Sequence, residues 1–382
     1  MQRNLDRNDQ LQRLRHRYAG RGKQGKSRLM DEFCEHYGYE RKYAIKLLRD
    51  RLPRKLWGPS STPGPELKYQ PIAEVVERIW QKAEQLCGKR LAAALPLWLP
   101  YYERHYNHLL PRQRKLAEQI SAATLDRLLA RRKAQAPRGL SGTRPGTLLR
   151  HQVPLQGEVW DERRLGFWEA DSVAHCGSSL AGDFIWSLTC TDLASAWTEG
   201  RAVWNKGSAG ILEQTRDVEQ QVPFAIRGFD FDNGSEWLNW TLIRYLQVRP
   251  RPIRLTRSRP YHKDDNAHVE QKNWMWPRQL LGYGRLERAA LVEPINALYK
   301  QAWGPLQNFF LPSMKLVKKW RESSRWVRRH DVPQTAYQRL LASGQLGALQ
   351  QRRLRDWYES LDPFELAAEV EHRLKPILRH GR

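Results

Sequence analysis

Cysteine is scarce in this chain. Four cysteines in 382 residues, Cys34, Cys87, Cys176 and Cys190, are scattered without a Cys-x-x-Cys pair, which excludes a disulfide framework and a thiolate zinc module. Long apolar runs are missing too. The longest, Leu91 to Pro100, is too short to span a bilayer and carries two prolines, so no transmembrane segment is expected. The N-terminus, Met-Gln-Arg-Asn-Leu-Asp-Arg, lacks the apolar core of a secretory signal, which makes the cytoplasm the expected location. Acidic residues are the third shortage: 65 Lys and Arg stand against 41 Asp and Glu, a formal net charge of +24. Such an excess of cations points to a polyanionic partner, and nucleic acid is the first candidate, ahead of an anionic membrane surface.

The length allows two or three domains, and the punctuation divides the chain. Residues 1–57 read as a basic arm followed by a helix-turn-helix. In that pair, Ser27 to Tyr37 forms the first helix with Ser27 as its cap, Gly38 ends it, and Glu40 to Leu52 forms the second. The second helix turns Ala44, Leu47 and Leu48 inward and sets Lys42, Lys46 and Arg49 in a basic stripe. On an isolated helix such a stripe is most often merely solvated; the charge of the whole chain favours DNA contact here. Residues 58–66, Gly-Pro-Ser-Ser-Thr-Pro-Gly-Pro-Glu, form a linker. Residues 67–132 read as a second helical DNA-binding unit, with helices at Ile72 to Leu86, Lys89 to Tyr102 and Ser121 to Arg132, the last presenting Arg127 and Arg131. Residues 133–159 form a basic linker, 160–310 an α/β domain and 311–382 a basic C-terminal region. No internal repeat is visible.

Within 160–310, strand-like and helix-like runs alternate. Strands are expected at Phe167 to Ala174, Asp183 to Thr191, Ala194 to Val203, Phe224 to Phe231 and Pro252 to Thr256. Helices are expected at Ser208 to Gln220, Ser235 to Gln247, Asn266 to Leu281 and Arg288 to Phe310. Three acidic residues punctuate this pattern: Asp171 in Trp-Glu-Ala-Asp-Ser-Val, Asp232 in Phe-Asp-Phe-Asp-Asn-Gly-Ser-Glu-Trp, and Glu270 in Asn-Ala-His-Val-Glu-Gln-Lys-Asn-Trp. Two aspartates near strand ends and one helical glutamate can converge on one point, and hard cations such as Mg²⁺ take carboxylate oxygens plus substrate phosphates.

These blocks resemble the DDE recombinases of the retroviral-integrase type, specifically transposases of bacterial insertion sequences with an integrase core. Asp-Asn-Gly-Ser-Glu-Trp at 232–237 is similar to the family's second-acid motif. Ser-Arg-Pro-Tyr-His-Lys-Asp-Asp-Asn-Ala-His-Val-Glu-Gln-Lys-Asn at 258–273 is similar to its third-acid block, with residues 233–269 between the two acids. The resemblance implies a ribonuclease-H-like core, a mixed five-stranded sheet with flanking helices, preceded by all-α helix-turn-helix units. It implies an enzyme that nicks or processes element ends and transfers the 3′ strand into target DNA, using two Mg²⁺ or Mn²⁺ ions held by Asp171, Asp232 and Glu270, with no covalent enzyme intermediate. Retroviral integrases also carry a zinc-binding N-terminal module, which this chain cannot build from its cysteines.

Around the acids, Asn233 and Gly234 allow the sharp turn after the strand, and Asn266, His268, Lys272 and Asn273 are expected to touch phosphates or hold Glu270. Arg257, Arg259 and Lys263 extend the expected DNA contact. The partners implied are double-stranded DNA, as element ends and as target, and a second copy of the chain on DNA, by analogy; no membrane is involved. Three close carboxylates repel one another, so raised pKa values are expected without metal. Asp230 is the main rival to Asp232. Glu169 and Asp192 are weaker rivals, expected to face solvent or the sheet edge. His175 and Cys176 are expected to be structural; tryptophans are most often core or interface residues, and Trp274 and Trp276, beside Glu270, are the pair to test for stacking on DNA bases. The alternative function is a transposase-derived DNA-binding regulator without catalysis.

Overall fold

The computed structural model describes residues 13–49, 68–135, 164–231, 240–257, 274–322 and 325–380. It divides into two compact units, residues 1–64 and residues 65–382.

The first unit is helical, with α1 (13–19), α2 (Lys23–Tyr37) and α3 (Arg41–Arg49). Its small core joins Met30 and Phe33 of α2 to Ala44 and Leu48 of α3, with Leu14 and Tyr18 packed alongside. Gly38 ends α2 in the left-handed conformation, φ +67°, where its lack of a Cβ removes the steric cost. The helix begins earlier than the sequence suggests: Gly22 is its N-cap, and Ser27 lies inside it, accepting a hydrogen bond from Arg41 at 3.0 Å. Arg41 also pairs with Asp31, and the buried Arg15 donates to the Leu47 carbonyl at 2.8 Å.

The second unit opens with helices α4 (Ala73–Lys82), α5 (Gly88–His105), α6 (Pro111–Gln119), α7 (Ala122–Leu128) and α8 (Ala130–Gln135). Leu91, Ala94, Leu95, Trp98, Leu99 and Tyr102 of α5 recur every three or four residues and are all buried, giving one apolar stripe. Ser121 caps α7 as expected, its Oγ accepting from the Thr124 N–H at 3.2 Å. The single helix expected over Ser121 to Arg132 is corrected: it breaks at Leu129 and restarts as α8.

A mixed five-stranded sheet follows, built from β1 (Phe167–Ala174), β2 (Ile185–Asp192), β3 (Thr198–Trp204), β4 (Gly228–Phe231) and β5 (Arg254–Arg257) in the order β3-β2-β1-β4-β5. The β1–β2 and β2–β3 pairs are antiparallel; β1–β4 and β4–β5 are parallel. The expected mixed sheet with flanking helices is therefore present. Helices α9 (Ser208–Gln221) and α10 (Trp240–Gln247) supply the parallel crossovers and cover the face that carries Trp168, Phe229 and Phe231.

The opposite face is covered by α11 (Gln279–Leu281), entered through a π-turn at Trp274–Arg278, and by α12 (Val292–Leu298), which runs on through π-turns at Tyr299–Trp303 and Leu306–Phe310. Two asparagines of this long helix close the edge of β3. Asn296 accepts from the Ala202 N–H at 2.7 Å and donates to its carbonyl at 3.1 Å; Asn308 does the same for Thr198 at 3.0 and 2.9 Å. Each amide stands in for a missing strand, which is one way to blunt a sheet edge.

The C-terminal part holds a hairpin, β6 (Leu316–Glu322) and β7 (Arg325–His330), then α13 (Ala336–Ala342), α14 (Ala348–Glu359) and α15 (Pro363–His380). One hydrophobic core runs from Ile72 through the sheet to Ile377. Phe364 of α15 packs edge-on against Trp98 of α5 at 5.1 Å, and Trp98 donates to the Phe310 carbonyl at 3.1 Å. None of the described helices is long and apolar enough to cross a membrane.

Candidate active site

Asp171 sits in β1, the central strand, and its side chain is half-buried. One carboxylate oxygen accepts from the Ser172 N–H at 2.7 Å. Strand alternation puts Glu169, Asp171 and Val173 on one face. Register extends that face sideways: Asp171 lies opposite Thr189, and Thr189 opposite Gly200.

Gly200 explains how the covering helix approaches. A Cβ at this position would stand 2.9 Å from the ring of Trp276 and 3.2 Å from that of Tyr299. Glycine therefore lets the indole pack closely against the row that contains Asp171, at the start of the α11 segment. The parallel neighbour of β1 completes the arrangement. Ala170 pairs with Phe231, the last described residue of β4, which immediately precedes Asp232 in the sequence. Asp232, Asn233, Gly234, Arg259, Lys263, Asn266, His268, Glu270, Lys272 and Asn273 lie outside the described residues.

The rival carboxylates are occupied in other ways. Asp230 pairs in register with Glu169, and both are buried on the face of Asp171. Asp230 accepts from the Thr256 hydroxyl at 2.6 Å, within the sheet. Asp192, expected at the surface, is fully buried: it accepts from the Gly166 N–H at 2.8 Å, the Ser195 N–H at 2.8 Å and the Ser195 hydroxyl at 2.6 Å. Burial raises its pKa to about 6, against the lowering effect of those hydrogen bonds. It ties the β2–β3 turn to the start of β1. Glu169 is likewise buried, not solvent-facing.

His175 is structural, as the sequence suggests. It is buried at the end of β1, with Nε2 2.8 Å from the Ser187 hydroxyl, which is itself 2.8 Å from the Tyr299 hydroxyl. Burial drives its pKa down to about 3. Of the two tryptophans singled out for DNA contact, Trp276 follows the commoner reading: it is wholly buried between Gly200, Tyr299 and Trp303 and is core.

The expected DNA-contacting cations that are described belong to four different elements. Lys42 is exposed on α3, which also carries Lys46 and Arg49. Arg127 is exposed on α7 and donates to the Thr124 hydroxyl at 3.2 Å; Arg131 lies on α8, and Arg257 ends β5. Two features escaped the sequence reading. One is Thr189, whose buried hydroxyl, opposite Asp171, has no hydrogen-bond partner among the described residues. The other is the β6–β7 hairpin, signalled only by two Trp-containing basic runs around Ser-Ser at 323–324. A further group, His105, Asp362 and Glu365, is close enough to hold a metal ion, but Asp362 is already engaged in capping α15.

No family model matches the chain. Among solved structures, the catalytic core domain of BIV integrase is similar at 14% identity and a TM-score of 0.23, over 31% of this chain and 66% of that one. Among curated proteins, the uncharacterized protein y4rM of Sinorhizobium fredii (strain NBRC 101917 / NGR234) is 36% identical over 330 residues, covering 83% of this chain and 90% of the relative. An identity of this size over nearly the whole of both chains assigns membership: the chain belongs to the family of the uncharacterized protein y4rM.

Proposed function

We propose that this protein is a transposase of the DDE type, with a ribonuclease-H-like core that cleaves DNA ends and joins them to target DNA. The observation that carries this reading is the position of Asp171. It lies half-open on the central strand, beside a parallel strand whose last described residue, Phe231, immediately precedes Asp232 in the sequence. The motif wording around Asp232 and Glu270 supplies the rest.

The donor set fits a hard cation. Asp171, Asp232 and Glu270 offer only carboxylate oxygens, and Asp171 keeps part of its side chain open while Glu169 and Asp230 on the same face are buried. Bound there, Mg²⁺ or Mn²⁺ would supply an activated water or 3′-hydroxyl and neutralise charge at the departing 3′-oxygen. The chain's own contribution is to hold and orient. The Ser172 N–H fixes one oxygen of Asp171, and the Trp276 indole on Gly200 anchors the segment that follows Glu270. The basic residues of α3, α7 and α8 supply phosphate contacts that position DNA without reading its sequence.

The test uses a labelled duplex ending in the native element terminus, incubated with wild type and with Asp232→Asn, with and without Mg²⁺ or Mn²⁺. The expected outcome is metal-dependent cleavage and joining by the wild type, with activity at the no-enzyme background for Asp232→Asn while DNA binding persists. DNA binding by the wild type without cleavage under either metal would favour the non-catalytic regulator.

A further inference from the structure

We propose that the β6–β7 hairpin is a basic two-stranded arm that grips duplex DNA through its phosphates, apart from the helical units and the acidic residues. The inference rests on the DNA reading above and adds a contact surface to it.

The charge is concentrated. Residues 315–330 contain seven Lys and Arg and one Glu. The register sets cations directly across from one another: Lys318 faces Arg329, and Lys319 faces Arg328. Like charges in opposed positions destabilise a sheet. A hairpin that keeps Lys318 opposite Arg329 carries a repulsion that a polyanion relieves. Lys318 and Arg329 are both exposed, and neither forms an ion pair among the described residues. Lys318 lies 5.7 Å from the centroid of the Trp320 ring, beside the exposed Val317.

The mounting is rigid where the arm leaves the body. Arg339, 8% exposed, donates to the Ser313 hydroxyl at 3.0 Å, the Gln334 carbonyl at 2.8 Å, the Ser313 carbonyl at 2.8 Å and Asp331 at 2.9 Å. Asp331 also accepts from the Lys315 N–H at 2.6 Å, and a bridge joins Ser313 to Gln334. Five hydrogen bonds and the bridge thus tie both strands of the base together. Beyond it, β6 and β7 pair only with each other, as a separate two-stranded sheet. An isolated hairpin with charges at most positions has little apolar area to bury, so its reason to persist lies in what it meets.

Duplex DNA fits the dimensions. β6 has 7 residues, about 23 Å at about 3.3 Å per residue. The major groove is about 12 Å wide and admits a two-stranded ribbon, so this arm reaches phosphates on both sides of it.

The experiment measures binding of the full-length chain to a random-sequence duplex by fluorescence anisotropy over a salt series. It compares wild type, Lys318→Ala/Arg329→Ala and the charge-preserving Lys318→Arg/Arg329→Lys. Loss of two phosphate contacts lowers the slope of log affinity against log salt by about 1.8 and weakens binding at 0.15 M salt by about 30-fold. The charge-preserving pair is expected to bind like wild type, with circular dichroism unchanged in both variants. An alanine pair with wild-type slope and affinity overturns the arm and leaves the transposase reading standing. A wild type that binds no duplex even at low salt removes both. Hairpin-dependent binding to vesicles containing phosphatidylserine, with duplex binding unaffected by the alanine pair, also overturns the proposal.

Discussion

His175 makes acid pH a probe of the sheet. Its pKa is about 3 in the folded chain, against 6.5 for an ordinary histidine, because burial penalises the imidazolium. A depressed pKa contributes stability that is present above 6.5 and is lost as pH falls toward 3, since the unfolded chain takes up the proton first. Between pH 6.5 and pH 5 the loss from this residue is about 2 kcal/mol. Urea unfolding at the two pH values checks it: His175→Gln, which keeps an amide near Ser187 but does not titrate, is expected to lose about 2 kcal/mol less than wild type on acidification. Equal losses would show that the ring is not held neutral. The contrast with Asp171 explains which residues could be read from sequence. Asp171 declares itself through motif wording and a position near a strand end. Asp192 ends a strand and Trp276 follows the third-acid block, yet their burial depends on Gly166, Ser195 and Gly200 across the sheet, and one sequence does not reveal those encounters. Ser27 illustrates the same limit locally, as a good capping residue that lies one turn inside its helix.

At the scale of elements, the strands and helices with a strong period were legible, and those with charge in place of a period were not. β1 spans Phe167–Ala174, the run read from its apolar residues, and α9 spans Ser208–Gln221 against an expectation one residue shorter. α6 passed unseen because its sequence, Pro-Arg-Gln-Arg-Lys-Leu-Ala-Glu-Gln, buries only Ala117. β6 and β7 passed unseen because Lys and Arg occupy positions where a buried strand would show alternation. The edge of β3 gives a prediction at this scale. Asn308 is 2% exposed and satisfies both the N–H and the carbonyl of Thr198. Asn308→Ala leaves two buried backbone groups without partners, at about 1–3 kcal/mol each, so a loss of about 2–6 kcal/mol in thermal or urea unfolding is expected. Increased aggregation should accompany it as the strand edge opens. A change below about 0.5 kcal/mol, within the range of an ordinary surface substitution, would mean that the edge does not need the amide.

At the scale of the whole molecule, sequence punctuation suggested an α/β domain at 160–310 flanked by separate pieces. The core crosses those boundaries. Phe309 packs against Trp357 at 4.9 Å and Tyr337 at 5.3 Å, Phe310 against Tyr358 at 5.3 Å, and Trp197 against Trp357 at 5.9 Å. Trp98, from the helices before the sheet, bonds to the Phe310 carbonyl. A fragment of residues 160–310 uncovers Trp197, Phe309 and Phe310 together. At about 1.5–3 kcal/mol for each large apolar side chain returned to water, the loss is roughly 5–9 kcal/mol, comparable to the whole stability of about 5–15 kcal/mol that a domain has. The fragment 160–310 is therefore expected to aggregate or to lack fixed aromatic packing in near-ultraviolet circular dichroism. Residues 65–382, which keep every one of these contacts, are expected to unfold in one cooperative transition. A 160–310 fragment that is soluble, monomeric and cooperatively folded would show that the helices on either side merely decorate the sheet; aggregation of that fragment beside a well-folded 65–382 would show that they are part of what makes it a sheet at all.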